Sequence, residues 1–430
     1  MRPNTDARST IVVDGWFDGE RRHAGPTTLK VVDGRLVGVT PGDHGRELAG
    51  SGWPLERGAF LLPGLVDAHV HLFLDGAPTD AKHRADHLKR PLDELMDAAR
   101  ASARQTLQCG VTRVRDAGDR HGINHRVREE ARRCGSQLAH VRSAGLGVKR
   151  AKRYGAFMAA DVGDEASIVR SVGELTVEND EIKLILTGII DFDAGAVTDE
   201  PQFTLDEARL VVTTAHAHGR RVMAHCSGAK GLAVAVGAGV DSIEHGFFMD
   251  RETLSKMRDA GLAWTPTFCP VHFQWAHPEA VGWSQNTVGN LRRILDRHAE
   301  MLRVAHQLGV RLLVGTDAGS MGVEHGHAVV DEIGHFIAAG LPVDAALHAA
   351  TAAPRSHFGD AHPRLELGAP FEALLLDADP ARDLGALRRP RRVWRAPAEH
   401  RFPGDAPGRP PAEGVSQPGS DAPSTRQVAA

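Results

Sequence analysis

The feature that most limits how this chain can fold is a repeated unit: an amphipathic helix, a glycine that closes it, and a short apolar strand. The unit recurs in LQCGVTRVRDAG, RRCGSQLAHVRSAG, AHAHGRRVMAH, VGAGVDSIEH, RDAGLAWTP and HQLGVRLLVGTD, with Gly110, Gly135, Gly219, Gly239, Gly261 and Gly309 at the joints. Glycine after a helix takes positive φ without a Cβ clash, so it ends the helix at little cost. TLDE at 204–207 is a capping box that opens a further helix. FLLPGLVDAHVH at 60–71 and EIKLILTG at 181–188 bring the strand candidates to eight. Strands that alternate with helices pair in parallel, and eight such units predict a (β/α)8 TIM barrel. A doubly wound open sheet is the alternative, but no GxGxxG follows a first strand.

The two ends of the chain read differently. Residues 8–40 are rich in short strands, and Asp33-Gly34 between two β-rich runs is a type I′ hairpin signal. FEALLL at 371–376 and RRVWR at 391–395 are strand-like again, after the long α/β region. The expected organisation is a small β-sandwich domain from residues 8–58 plus 364–396, a barrel over 59–363, and a disordered tail over 401–430, rich in Pro, Gly, Ala and Ser. RRPRRVWR at 388–395 reads as an exposed charge run on an edge strand. The formal net charge is −4, which implies no nucleic-acid or membrane partner. The longest apolar runs fall far short of the ~18 residues of a transmembrane helix, and MRPNTDARST has no apolar signal-peptide core. Cys109, Cys134, Cys226 and Cys269 are far apart and form no CxxC pair, so a disulfide framework is not expected and a reducing, cytoplasmic location fits.

Ligand-capable residues fall at the C-terminal ends of several strands, the rim where catalytic groups of a barrel converge. His69 and His71 end the first strand, and their i, i+2 spacing points both imidazoles the same way. Lys183 lies in the fourth strand, His225 ends the fifth, His245 the sixth and Asp317 the eighth. Singly, each has an ordinary role: a satisfied histidine, a helix-capping aspartate, a snorkelling lysine. Those roles do not explain all six on one rim, and together they predict a metal centre. Neutral imidazole and carboxylate favour zinc or similar cations. A buried lysine loses its charge readily, and the neutral amine can add carbon dioxide to give a carbamate able to bridge two ions. Two such ions share and activate a bridging hydroxide, and Asp317 would move its proton to the leaving amine.

PGLVDAHVH at 63–71, IKLILTG at 182–188, VMAHCSG at 222–228, SIEHG at 242–246 and VGTDAG at 314–319 resemble the amidohydrolase superfamily. The likeness runs over roughly residues 10–385, toward its prolidase-like, imidazolonepropionase-related branch, which includes metal-dependent dipeptidases and N-acyl amino-acid hydrolases. The resemblance implies a first ion on His69, His71, Lys183 and Asp317, and a second on Lys183, His225 and His245, with Lys183 as N6-carboxylysine. The ions are expected to be zinc, with manganese, cobalt or iron as alternatives. A small-molecule substrate is expected, with a dipeptide or N-acyl amino acid leading, and a homo-oligomer is common among such proteins.

The chain also departs from the usual pattern. TGIIDFDAGA stands where TGG is common, HCSG where HAHG is, and RYGAF where a His-Gly-His-like segment often precedes strand four. Tyr154, the chain's single tyrosine, His272 after strand seven and His325 after strand eight are candidate substrate contacts. Cys226 reads as packing, and Arg115 with Asp116 as an ion pair inside the barrel. A heterocycle deaminase on the same fold would carry a glutamate three residues after the fifth-strand histidine and lack the strand-four lysine; here position 228 is Gly and Lys183 is present. Lactam, carbamate, ester or organophosphate substrates remain open, as does a non-catalytic binding protein, which has no need of a complete ligand set.

Overall fold

The computed structural model describes residues 8–48, 52–77, 81–133 and 135–396; the expected disordered tail and Cys134 lie outside the described residues. One sheet is built from both ends of the chain. Its six strands run in the order Arg392–Trp394, Ala373–Leu376, Leu55–Pro63, Arg8–Phe17, Arg22–Val32, Arg35–Pro41. All neighbours are antiparallel except Leu55–Pro63 beside Arg8–Phe17. Asp33 (φ 50°) and Gly34 (φ 71°) are both left-handed, as a type I′ turn requires. The expectation of a sandwich is corrected here to one continuous sheet: Leu365 and Phe371, from the segment leading into Ala373–Leu376, pack on Ile11, Leu29 and Leu61 as the covering layer. The basic run lies on the edge strand, where Arg391 and Arg392 pair with Asp377 and Glu56.

All eight strands expected in the α/β region are present, in two parallel sheets. Leu65–Val70, Val111–Asp116 and His140–Ser143 form the first. Arg311–Leu312, Ala263–Thr265, Ser242–His245, Arg221–Cys226 and Glu181–Ile185 belong to the second, in that order. Two short strands unforeseen in the sequence, Gly147–Lys149 and Ala159–Asp161, complete it. The six joint glycines carry φ between 69° and 85°, and Thr204 with Glu207 forms the capping box of the helix Leu205–Ala217.

The ladders are not one closed ring. The third strand breaks after Ser143, where Gly145 takes φ 57°, and the eighth is regular for only two residues. Backbone bonds tie the sheets across both seams. Asp180 N donates to Ser143 O at 2.9 Å on one side; Ala68 N to Val314 O at 2.9 Å, Asp317 N to His69 O at 2.7 Å and His71 N to Ala318 O at 2.8 Å on the other. Gly315 permits that second approach, because a Cβ there would sit 2.9 Å from His69 N. Among the described residues no helix is long and apolar enough to cross a membrane.

Candidate metal centre

The strand register assembles the site. Ile185 pairs with His225 and Cys226 with His245, so the two histidines leave adjacent strands side by side. The bonds between 67–71 and 314–318 bring Asp317 opposite His69 and His71. His69 Nε2 and His71 Nε2 each lie 3.7 Å from Asp317 Oδ1, and the three ligand atoms fall within 4.8 Å of one another. The ring of His245 is 5.0 Å from that of His69 and 4.6 Å from that of His225. His245 (φ 67°), at the end of its strand, and Thr267 (φ 52°) and Asp317 (φ 56°), in the segments that follow theirs, hold left-handed backbone. Such conformations persist in non-glycine residues when the surroundings enforce them, and they concentrate at functional sites.

The far nitrogen of each ring is committed, which sets the near one. His71 Nδ1 lies 3.0 Å from the Gly118 carbonyl, which can only accept, so His71 Nε2 carries the lone pair. His69 Nδ1 lies 2.7 Å from Glu244 Oε2, with the same result. The Thr267 hydroxyl donates to Pro266 O, so it accepts from His245 Nδ1 at 2.7 Å and leaves His245 Nε2 as a lone pair. His245 Nε2 faces His225 Nδ1 at 2.9 Å, while His225 also bonds the Gly188 backbone. Histidines that bind metals hold their other nitrogen in this way. His69 Nε2 and Lys183 Nζ are buried with no hydrogen-bond partner among the described residues. A buried polar atom left so is costly unless a ligand completes it.

The electrostatics suit cation binding. Burial, then the charge of Lys183, pushes His71 and His225 down to about 3, so both are neutral. Burial pushes Lys183 down to about 8 and Asp317 up to about 6. Beneath the site, Arg115 Nη1 and Nη2 reach Glu181 at 3.0 Å and Glu244 at 2.8 Å, and Arg142 completes the cluster on Glu181. The expected pairing of Arg115 with Asp116 is therefore corrected. Consecutive strand residues face opposite ways, and Asp116 instead accepts from Leu72 N and Gly118 N, both at 2.9 Å. Asp116 thereby holds the turn whose carbonyl orients His71.

Above these residues opens a cavity of about 230 Å³ lined by His71, His225, His245 and Asp317, with Tyr154 and Arg84 on its wall. Tyr154 lies 5.1 Å, ring to ring, from His225. The other two substrate candidates lie elsewhere. His272 sits on the helix Phe268–Ala276 and faces His335, 4.5 Å ring to ring, in a second cavity of about 440 Å³. His325 is buried behind the first strand, its Nε2 3.2 Å from Leu74 O. Cys226 is buried in the core.

The amidohydrolase family model matches residues 60–401. The chain belongs to the amidohydrolase family. As an amidohydrolase it is a hydrolase of carbon–nitrogen bonds, in a family that generally uses divalent metals and acts on small molecules. It is 29% identical over 365 residues to an uncharacterized protein of Mycobacterium tuberculosis, covering 84% of this chain and 89% of that one. An ochratoxinase of Aspergillus niger is 27% identical over 215 residues, 48% of this chain and 43% of that protein; its crystal structure superposes with a TM-score of 0.77 at 19% identity, covering 92% and 95%. A Xaa-Pro dipeptidase with methionine bound in its active site superposes with a TM-score of 0.76 at 22% identity, covering 90% and 98%.

Four residues that shape the site of this amidohydrolase escaped the sequence reading: Glu244, Thr267, Arg84 and Gly118. Glu244 had a signal, an acid inside the apolar strand of SIEHG, matched by Arg115 in VTRVRD and Glu181 in EIKLIL. Thr267 and the Gly118 carbonyl act through loop geometry, and Arg84 through the placement of the short helix Ala81–His87, neither of which periodicity records.

Proposed function

We propose that this amidohydrolase cleaves an amide bond, in a dipeptide or N-acyl amino acid, with two divalent cations at the rim. The observation that carries this reading is the pair of buried, unsatisfied atoms, Lys183 Nζ and His69 Nε2, set among three further imidazoles and Asp317. His69, His71 and Asp317 would hold one ion and His225 and His245 the other, with carboxylated Lys183 between them. The donor set, imidazole and carboxylate, suits zinc. Bound there, the cations supply Lewis acidity to the scissile carbonyl and lower the pKa of water.

The chain's own residues do the rest. Asp317, with its carboxyl raised by burial to about 6, takes a proton from the attacking water and delivers it to the departing amine. Glu244, Gly118 and Thr267 hold His69, His71 and His245 in the tautomer that faces inward. We read the two parallel sheets, tied by backbone bonds at both seams, as the (β/α)8 barrel over 59–363, with 8–58 and 364–396 as the second domain. The absence of CxxC pairs supports a reducing, cytoplasmic setting.

The Xaa-Pro dipeptidase is named for a dipeptide substrate and carries methionine in its active site, which supports an amino acid among the products here. Lys183 and Gly228 disfavour the deaminase reading. The test is a screen of zinc-loaded protein against dipeptide and N-acyl amino-acid libraries. Turnover abolished by chelator supports the proposal. Failure on every member, with ions bound, transfers the reading to lactams, carbamates or esters.

A further inference from the structure

At the end of the parallel sheets opposite the metal centre, positive charge gathers. Arg221 opens the strand Arg221–Cys226 in register with Glu181, on the same side as Met223 and His225. Arg311 opens the two-residue strand Arg311–Leu312, on the same side as Leu313, which packs with Val66, Ala68 and Phe358. His357 and Phe358 end the helix Ala352–Phe358, and the guanidinium groups of Arg115 and Arg142 lie 5.5 and 5.4 Å from the Phe358 ring centre. Arg115 and Arg142 are neutralised: they hold Glu181 at 3.0 and 2.5 Å, and Arg115 also holds Glu244 at 2.8 Å. Arg221 and Arg311 make no side-chain hydrogen bond or ion pair among the described residues, and Arg221 Nη1 is buried without a partner. Asp241, the other acid that acts on Arg221, is engaged: one of its oxygens accepts from Val222 N at 2.7 Å and faces His216 Nε2 at 2.8 Å. His357 is 2% exposed, and its Nε2 also lacks a partner among the described residues. Burial pushes this imidazole down to about 3, and the charges of Arg115, Arg221 and Arg311 add to the effect against Glu181. Unmatched positive charge and unpaired buried nitrogens are destabilising, and one bound anion relieves both.

We propose that Arg221, Arg311 and His357 form a binding site for a phosphate-class oxyanion at this end of the sheets. Two unmatched guanidinium groups call for more than a single negative charge, and a tetrahedral oxyanion has oxygens enough to meet both planar forks and the imidazole Nε2–H. Arg221 is half-buried and Arg311 exposed, so the ion enters from solvent at the two arginines, with His357 deepest. Bound there, it joins the strand Arg221–Cys226 to the strand Arg311–Leu312, which is regular for only two residues. The site is independent of the amide-hydrolase reading.

The test titrates inorganic phosphate into zinc-loaded protein, read by equilibrium dialysis and by the thermal midpoint. The wild type should bind it saturably, with a midpoint that climbs with the logarithm of phosphate concentration. Arg221→Gln and Arg311→Gln should each weaken binding at least ~10-fold, the size of a charge-assisted hydrogen bond, while zinc content stays unchanged. Arg311→Lys, which keeps the charge but not the fork, should retain part of the affinity. In phosphate-free buffer Arg221→Gln should melt at or above the wild-type temperature, because it removes an unmatched charge. Acetate, with one charge and two oxygens, should bind about tenfold more weakly than phosphate. Glycerol 3-phosphate is titrated in parallel: tighter binding than inorganic phosphate identifies a phosphate ester as the source, weaker binding the free ion, and both support the site. Full phosphate affinity in both glutamine variants would put the ion on the metals and overturn the proposal, as would a wild type that shows no saturable binding or takes acetate equally well. A lower midpoint for Arg221→Gln in phosphate-free buffer would also overturn it, by making that guanidinium a structural group.

Discussion

Replacing Glu244 by Gln tests whether the interior ion cluster sets the metal ligands. The carboxylate accepts from His69 Nδ1 through Oε2, and from Arg115 Nη2 and Ser242 Oγ through Oε1, with no surface exposure. A carboxamide has one accepting oxygen and one donating NH2, so it cannot serve both sides. If the oxygen turns to Arg115, the NH2 meets His69 Nδ1, which must then accept. The proton moves to Nε2, the nitrogen aimed at Asp317, and His69 no longer offers a lone pair there. Loss of such an outer hydrogen bond lowers metal affinity by about 10–100-fold. If the oxygen instead turns to His69, the NH2 faces the guanidinium, and breaking the buried pair costs the metal-free fold ~3–5 kcal/mol. The assay is a chelator-competition titration of zinc on both proteins, with thermal unfolding of the metal-free forms alongside. A variant that matches the wild type in zinc affinity and in stability would refute the argument, because both orientations forbid that result.

Thr267→Val keeps the branched shape at its left-handed position but removes the acceptor for His245 Nδ1; zinc titration should show a tenfold or greater loss at one of two sites, the ~1–3 kcal/mol effect of a buried donor left unpaired. His298, buried against Phe247 with Nε2 3.0 Å from Pro266 O, is pushed by burial from 6.5 down to about 3. A depressed folded pKa gives stability that is present above 6.5 and lost as pH falls toward 3, so this residue should remove about 2 kcal/mol between pH 8 and pH 5; denaturant titrations should show a shallower acid slope by that amount in His298→Gln. Thr204→Ala removes the capping-box hydroxyl from the helix Leu205–Ala217 and should lower stability by ~1 kcal/mol in the same titration, with no change in zinc binding.

The chain wrote its alternation of elements plainly, because six of its helix-to-strand joints carry a left-handed glycine and the strands that follow are largely buried. The six candidate ligands were legible because they lie in or after those strands, Lys183 inside the fourth and the others near or beyond the ends of theirs, and the parallel register sets Ile185 beside His225 and Cys226 beside His245. What lay outside such reasoning was curvature and contact. The break after Ser143 coincides with left-handed Gly145, and the positive φ of Asp317 is one that no pattern of side chains announces. His272 was misplaced because a helix begins at Phe268 directly after left-handed Thr267, carrying the ring toward His335 instead of the cavity. Arg84 lies thirteen positions beyond His71 in a segment without periodicity, and only the folded chain brings it over Asp317.

Counting bound divalent ions per chain, by elemental analysis of purified wild type and Lys183→Ala after dialysis against zinc, puts the central assignment to its most direct trial. The account predicts two ions in the wild type and at most one in the variant. Two tightly held ions in both proteins would contradict it.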